Sequence, residues 1–264
     1  MKDVTPKKSL GQHWLHDESV LAAIADCAGV QAGDAVLEVG PGLGTLTKEL
    51  LSRGAKVTAV EFDQNLATNL AKTLGTSGPV EGLEVVNQDI LQFDLTQLLP
   101  GYKVVANIPY YLTSNLIRVL CESTNPFSQA AILIQKEVAE RVAAGPGQMS
   151  ILSVSAQYYC EVSLGPVVPA ELFTPPPKVD SQVLVLQYRR NPLYEDVDTK
   201  QFFRLVKAGF SQKRKTLVNA LSGGLAISKN EAKTLLEAAD IDSGQRAQAL
   251  SLDDWYALYE VAVQ

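Results

Sequence analysis

The chain has 264 residues, 46% of them hydrophobic, and a formal net charge of -6. That length suits one large α/β domain with a smaller companion, and the acidic balance argues against bulk attraction to nucleic acid, so any such binding needs a local basic patch. The longest apolar runs, such as Ala130 to Ile134, are far too short to cross a bilayer, and the polar opening lacks the apolar segment of a secretory signal, so a cytoplasmic protein with no membrane attachment is expected. Cys27, Cys121 and Cys160 show no CxxC or Cys/His spacing and read as free buried thiols. His13 and His16 are the only imidazoles, so no metal site is expected.

In chain order, residues 17–28 (DESVLAAIADCA) place apolar positions at helical spacing behind an aspartate that can cap the first turn. Ala35 to Val39 reads as a short buried strand, closed by GPGLG at 40–44 and followed by a helix through about Arg53. The same strand-helix alternation continues with Lys56 to Glu61 and a helix near 64–74, a strand at Leu83 to Val86, and a strand at Tyr102 to Ala106 with a helix near 113–122. Ala130 to Gln135 is a further strand. Such alternation predicts an α/β fold with a mostly parallel, doubly wound sheet. After the prolines at 175–177, the stretch 180–189 (DSQVLVLQYR) predicts an antiparallel edge or late strand. From about 198 to 264 the periodicity is helical throughout, punctuated at Gly223-Gly224 and between Asp240 and Gly244, with RRNPLYEDVD (189–198) as the linker. Two domains are therefore expected, at 1–190 and 191–264.

The stretch VLEVGPGLG puts Gly40, Gly42 and Gly44 where a strand turns into a helix, so that a ligand can approach the backbone closely. Glu61 ends the second strand, where a carboxylate can accept both hydroxyls of a ribose. Asp89 follows the third, where it could accept an exocyclic amine from an adenine ring. A glycine loop and two acids at consecutive strand ends predict a nucleotide crevice.

The next strand end carries NIPYY (107–111) beside that crevice. An exocyclic amine on a base is a poor nucleophile because its lone pair is delocalised into the ring. Acceptors at the Asn107 side chain and at the carbonyl of Ile108 or Pro109 favour the pyramidal nitrogen that can attack. Pro109 has no N–H to compete, and Tyr110 offers a face for the base to stack on. Asn-x-Pro-aromatic at this position is the pattern of amine-directed methyltransferases that use S-adenosylmethionine, for which in-line positioning and charge placement suffice. A DNA adenine methyltransferase more often shows D/N-P-P-aromatic, whereas Ile108 precedes the proline here. A dinucleotide oxidoreductase has no use for the motif.

Taken with KKSLGQHWLHD (7–17), VEFDQNL, NQDIL, LIQKEVAERV, FTPPPKVDSQV (173–183) and FSQKRKTLVNAL (210–221), these blocks closely resemble the KsgA/RsmA-type small-subunit rRNA adenine dimethyltransferases over nearly the whole chain. The resemblance implies a Rossmann-like class I methyltransferase sheet of seven strands, one antiparallel, with a small all-helical C-terminal domain that binds RNA or the ribosome. It further implies methyl transfer from S-adenosylmethionine to N6 of two adjacent adenosines in a hairpin near the 3′ end of small-subunit rRNA, and a part in assembly of the immature small ribosomal subunit. A monomer is expected. Carried over, cofactor contacts fall to His13, Leu15, Gly40, Gly42, Glu61, Asp89 and Asn107, and the catalytic set to Asn107, Pro109, Tyr110 and Phe173, with Tyr110 and Phe173 clamping the target adenine. The family's usual GQNFL is GQHWL here, so His13 and Trp14 replace Asn and Phe and could instead pack the arm onto the domain. An Erm-type large-subunit enzyme and a mainly non-catalytic assembly factor are the alternatives.

Basic clusters at Lys7-Lys8, Lys136 with Arg141, Arg189-Arg190 and Lys213-Arg214-Lys215 offer an RNA footprint on an acidic chain. The last is read as part of a helix anchored by Phe210, Leu217, Val218 and Leu221, with its basic residues free to dock on phosphates.

Overall fold

The computed structural model describes residues 11–76 and 78–263. The Lys7-Lys8 cluster and the start of KKSLGQHWLHD lie outside the described residues. In chain order the elements are β1 (Trp14–Leu15), α1 (Glu18–Cys27), β2 (Ala35–Val39), α2 (Thr45–Ser52), β3 (Lys56–Glu61), α3 (Gln64–Thr73), β4 (Leu83–Asn87), β5 (Lys103–Asn107), α4 (Thr113–Cys121), β6 (Gln129–Gln135), α5 (Lys136–Val142), α6 (Ile151–Tyr159), β7 (Cys160–Val168), β8 (Phe173–Thr174), β9 (Ser181–Tyr188), α7 (Thr199–Phe210), α8 (Leu217–Leu225), α9 (Lys229–Ala238) and α10 (Leu252–Val263). No described helix is long and apolar enough to cross a membrane.

Two compact units result, one of residues 1–139 and 160–188, the other of 140–159 and 189–264. The second unit thus takes in a mid-chain segment that the expected 1–190 range had assigned to the first. The reason is apolar packing: Tyr158 of α6 lies 5.0 Å from the Phe202 ring and 5.3 Å from the Phe203 ring of α7, and both belong to the helical unit.

The first unit is built on a seven-stranded sheet in the order β4-β3-β2-β5-β6-β9-β7. Its strands pair in parallel except for β9, which runs antiparallel to both β6 and β7. The predicted antiparallel strand is therefore interior, and the edge is β7, which the sequence pattern did not reveal. Strands buried on both faces need continuous apolar runs, as in Val36, Leu37, Val104, Val105 and Ala130 to Ile134, all buried. Chain direction reverses its sideways progress at β2, which pairs with β3 on one side and β5 on the other, and ligands bind such sheets outside the carboxyl ends at that switch point.

The second unit surrounds a core of Phe202, Leu217, Leu221, Leu236, Trp255 and Leu258. Gly223-Gly224 does not interrupt it, since both lie within α8. A Cβ on Gly224 would stand 2.6 Å from Ala208 Cα, so the glycine permits a close helix-helix approach rather than a turn.

Candidate active site

The sheet register brings the predicted site residues together. Val39 of β2 is paired with Val60 of β3 and Ala106 of β5, so the glycine loop that follows β2 lies between Glu61 and Asn107. Glu61 is in turn paired with Asn87, two residues before Asp89. A cavity of about 320 Å³ opens there, and its walls include His13, Leu15, Gly40, Gly42, Glu61, Asp89, Asn107, Pro109, Tyr110 and Phe173. Each proposed catalytic and cofactor residue from the sequence is among them. Lys213, Arg214 and Lys215 belong to the second unit.

The loop owes its path to its glycines. Gly40, Gly42 and Gly44 all have left-handed φ, at +68°, +58° and +80°, a region that side chains disfavour. Glu61 holds the loop from across the strands: its carboxylate accepts the Gly42 N–H at 3.1 Å and the Asp63 N–H at 2.8 Å. Burial raises the Glu61 carboxyl above its ordinary range, while the Asp63 and Gly42 donors oppose the rise. Asp89 accepts the Leu91 N–H at 3.0 Å, which fixes its side chain at the start of a short turn.

The N-terminal arm folds over the loop. Leu15 is buried, its carbonyl accepts the Thr45 hydroxyl at 2.9 Å, and its backbone pairs with Phe173. The Trp14 ring is the nearest neighbour of a Cβ placed on Gly42, at 3.5 Å. His13 donates from Nδ1 to the Pro175 carbonyl at 2.6 Å and stacks near Tyr110, with ring centroids 6.0 Å apart. His13 and Trp14 thus pack the arm onto the domain while His13 remains at the cavity wall.

On the other side, the Asn107 amide reaches the His13 carbonyl through Nδ2 at 3.4 Å, which leaves Oδ1 as the acceptor of that side chain. Tyr110 turns inward, and its hydroxyl lies 2.9 Å from the buried Ser181 hydroxyl on β9. Phe173 is only 3% exposed and lines the same space. The Asn107 acceptor, a fixed ring and an apolar wall can hold a planar, amine-bearing base.

Three further lining residues escaped the sequence reading. Glu38 of β2 is 1% exposed, and neither carboxyl oxygen has a hydrogen-bond partner among the described residues. Burial pushes its carboxyl up to about 8; Thr47, close by without hydrogen-bond geometry, opposes the rise, and the charge of Glu61 adds to it. An acid inside an apolar strand was the available signal. Phe62 and Tyr111 are 63% and 66% exposed, and both border the cavity.

The basic triplet differs from its expected setting. Lys213, Arg214 and Lys215 are exposed in the turn between α7 and α8, because Thr216 adopts an extended conformation (φ -64°, ψ 155°) as the cap of α8. The anchoring residues Leu217 and Leu221 are buried as expected. The cysteines also meet unexpectedly: Cys121 and Cys160, distant in sequence, have sulfurs 3.9 Å apart, while Cys27 is only partly buried.

Comparison with known proteins gives a consistent result. Residues 4–264 match the family model described as "Ribosomal RNA adenine dimethylase". The chain is 42% identical over 260 residues to a "Ribosomal RNA small subunit methyltransferase A" of Alkaliphilus metalliredigens (strain QYMF), covering 95% of this chain and 90% of that protein. A protein of the same description from Clostridioides difficile (strain 630) is 38% identical over 262 residues, covering 96% and 90%. Among solved structures, a dimethyladenosine transferase from Plasmodium falciparum superposes with a TM-score of 0.77 at 28% identity, covering 93% of this chain and 96% of that one. The 23S rRNA methyltransferase ErmE superposes with a TM-score of 0.73 at 28% identity, covering 95% and 100%. The chain belongs to the ribosomal RNA adenine dimethylase family and is a methyltransferase with the Rossmann-like sheet of that class.

Proposed function

We propose that this protein, as a cytoplasmic monomer, transfers methyl groups from S-adenosylmethionine to N6 of two adjacent adenosines near the 3′ end of small-subunit rRNA, acting on the immature small ribosomal subunit. The observation that carries the reading is the convergence of four neighbouring strand ends on one cavity, with Asn107 beside the glycine loop and Glu61. The small-subunit assignment draws on relatives of that description at about 40% identity over nearly the whole chain.

The residues suit the cofactor. Left-handed glycines leave the loop backbone open to close approach, and the Glu61 carboxylate, already fixed by two N–H donors, presents an acceptor to a ribose. Asp89 would receive the adenine amine. When bound, S-adenosylmethionine supplies an electrophilic methyl carried on a sulfonium. The chain's own part is positional: Asn107 Oδ1 and the carbonyl at Ile108 or Pro109 hold the hydrogens of the target amine and so turn its lone pair out of the ring plane. Tyr110 and Phe173 hold the base between them, and the arm at 11–15 packs against the loop and completes the cavity wall. Extruding a base to reach such a pocket costs a few kcal/mol of stacking, which the aromatic clamp offsets. Lys213, Arg214 and Lys215 supply phosphate contacts from the helical unit.

The test is methylation of unmethylated small and large ribosomal subunits with labelled S-adenosylmethionine. Label confined to N6 of small-subunit adenosines supports the reading. Label in large-subunit rRNA would indicate the Erm-type activity, and tight particle binding without label would indicate an assembly factor.

A further inference from the structure

NIPYY places two aromatics in succession, and the structure sends them in different directions. Residues 110–112 form a single 3-10 turn, closed by the Leu112 N–H donating to the Pro109 carbonyl at 3.0 Å. At three residues per turn, neighbouring side chains diverge by about 120°. Tyr110 therefore points inward to Ser181, and Tyr111 points out at the cavity rim with 66% of its surface exposed. Gly11 backs the Tyr111 ring: a Cβ there would lie 3.8 Å from both Cδ1 and Cε1, and 3.5 Å from Pro109 Cβ. The ring is thus supported along one edge and presents a free face beside the entrance.

Among the exposed large hydrophobic side chains of the described residues, Phe62 and Tyr111 are the aromatics, and both border this cavity. Phe62 adjoins Glu61 at the cofactor end, whereas Tyr111 adjoins Tyr110 at the acceptor end. An RNA strand that delivers one base to Tyr110 must leave the next base at the rim, with one face stripped of its stacking partner. A supported aromatic face restores that partner and does so for any base, because every base has a π-face.

We infer that Tyr111 forms a stacking platform for the nucleotide adjoining the target adenosine, outside the cavity. This inference rests on the proposed rRNA methylation and deepens it: the acceptor site spans two bases, and where the targets are adjacent, one adenosine rests on Tyr111 while the other is modified. Tyr111 is a positioning residue, acting on the RNA chain rather than on the reacting nitrogen.

The experiment measures steady-state methylation of unmethylated small subunits by wild type, Tyr111→Phe, Tyr111→Leu and Tyr111→Ala, with S-adenosylmethionine affinity determined by calorimetry. Loss of an aromatic stacking partner corresponds to roughly a 5- to 150-fold effect. Tyr111→Ala and Tyr111→Leu should lower kcat/KM by that order, mainly through KM, with cofactor affinity unchanged and the salt dependence of KM as steep as in wild type. Tyr111→Phe, which keeps the ring face, should restore the wild-type value. Equal activity of the alanine variant, rescue by leucine, or failure of phenylalanine to rescue overturns the inference while leaving the methylation reading intact. A wild-type enzyme that does not methylate small subunits overturns both.

Discussion

Burial of Glu38 makes the stability of the first unit depend on pH. Glu38 sits next to the carboxyl end of β2 without a hydrogen-bond partner among the described residues, and burial moves its carboxyl from 4.5 to about 8. The folded-state value lies above the unfolded one, so the stability associated with the neutral acid is complete below about 4.5 and is lost as pH rises towards 8. At about 1.4 kcal/mol per tenfold change in equilibrium, the span from 4.5 to about 8 amounts to roughly 5 kcal/mol. Glu38→Gln keeps the shape and cannot ionise. The variant should match wild type within about 1 kcal/mol at pH 5 and exceed it by several kcal/mol at pH 8. Urea unfolding at both pH values, followed by hydrogen exchange of the peptide covering 35–47, reads the first unit directly. Parallel pH profiles for the two proteins would refute the assignment of a neutral buried acid.

Other consequences follow from specific contacts. Glu61→Ala removes a carboxylate that accepts two N–H groups and is proposed to meet the cofactor ribose; with charged hydrogen bonds worth about 1.5–3 kcal/mol, calorimetry should show S-adenosylmethionine binding weakened by roughly 10- to 150-fold. Unchanged affinity would remove Glu61 from the cofactor site. Gly209→Ala should lower the unfolding midpoint of the helical unit despite the better helix propensity of alanine, because the added Cβ overlaps the buried Trp255 ring. Propensity gains about 1 kcal/mol, whereas overpacking costs about 1–3 kcal/mol. Replacing Lys213, Arg214 and Lys215 together with alanine should weaken binding to small subunits and flatten its salt dependence, while calorimetry shows cofactor affinity unaltered.

The alternation of strand and helix was legible because β2, β3 and β5 are short apolar runs whose carboxyl ends carry Gly40, Glu61 and Asn107. Those same endings marked Glu61, Asp89 and Asn107 as neighbours, since consecutive parallel strands must bring their ends to one side. What failed was long-range or masked by irregularity. β7 is broken by Gly165-Pro166 and a register shift between Leu164 and Val167, which erases a period of two. Gly165 is required there by closeness: a Cβ would stand 2.9 Å from Cys27 Sγ. The interior place of β9 depends on this hidden strand, so an edge was the natural expectation. Phe210, Leu217 and Leu221 have helical spacing across the basic triplet, yet the extended cap at Thr216 divides them between two helices. Glu38 and Tyr111 were visible as residues, but their roles come from burial in one case and exposure in the other, and neither is a property of spacing.

The central claim is that donor and acceptor meet at the carboxyl end of β5, where Asn107 holds the target amine. Single-turnover methylation of unmethylated small subunits by Asn107→Ala, at saturating S-adenosylmethionine and read by mass spectrometry of N6-dimethyladenosine, tests it directly. The account predicts that the product is lost while calorimetry still detects cofactor binding. Dimethylation at the wild-type rate would contradict it.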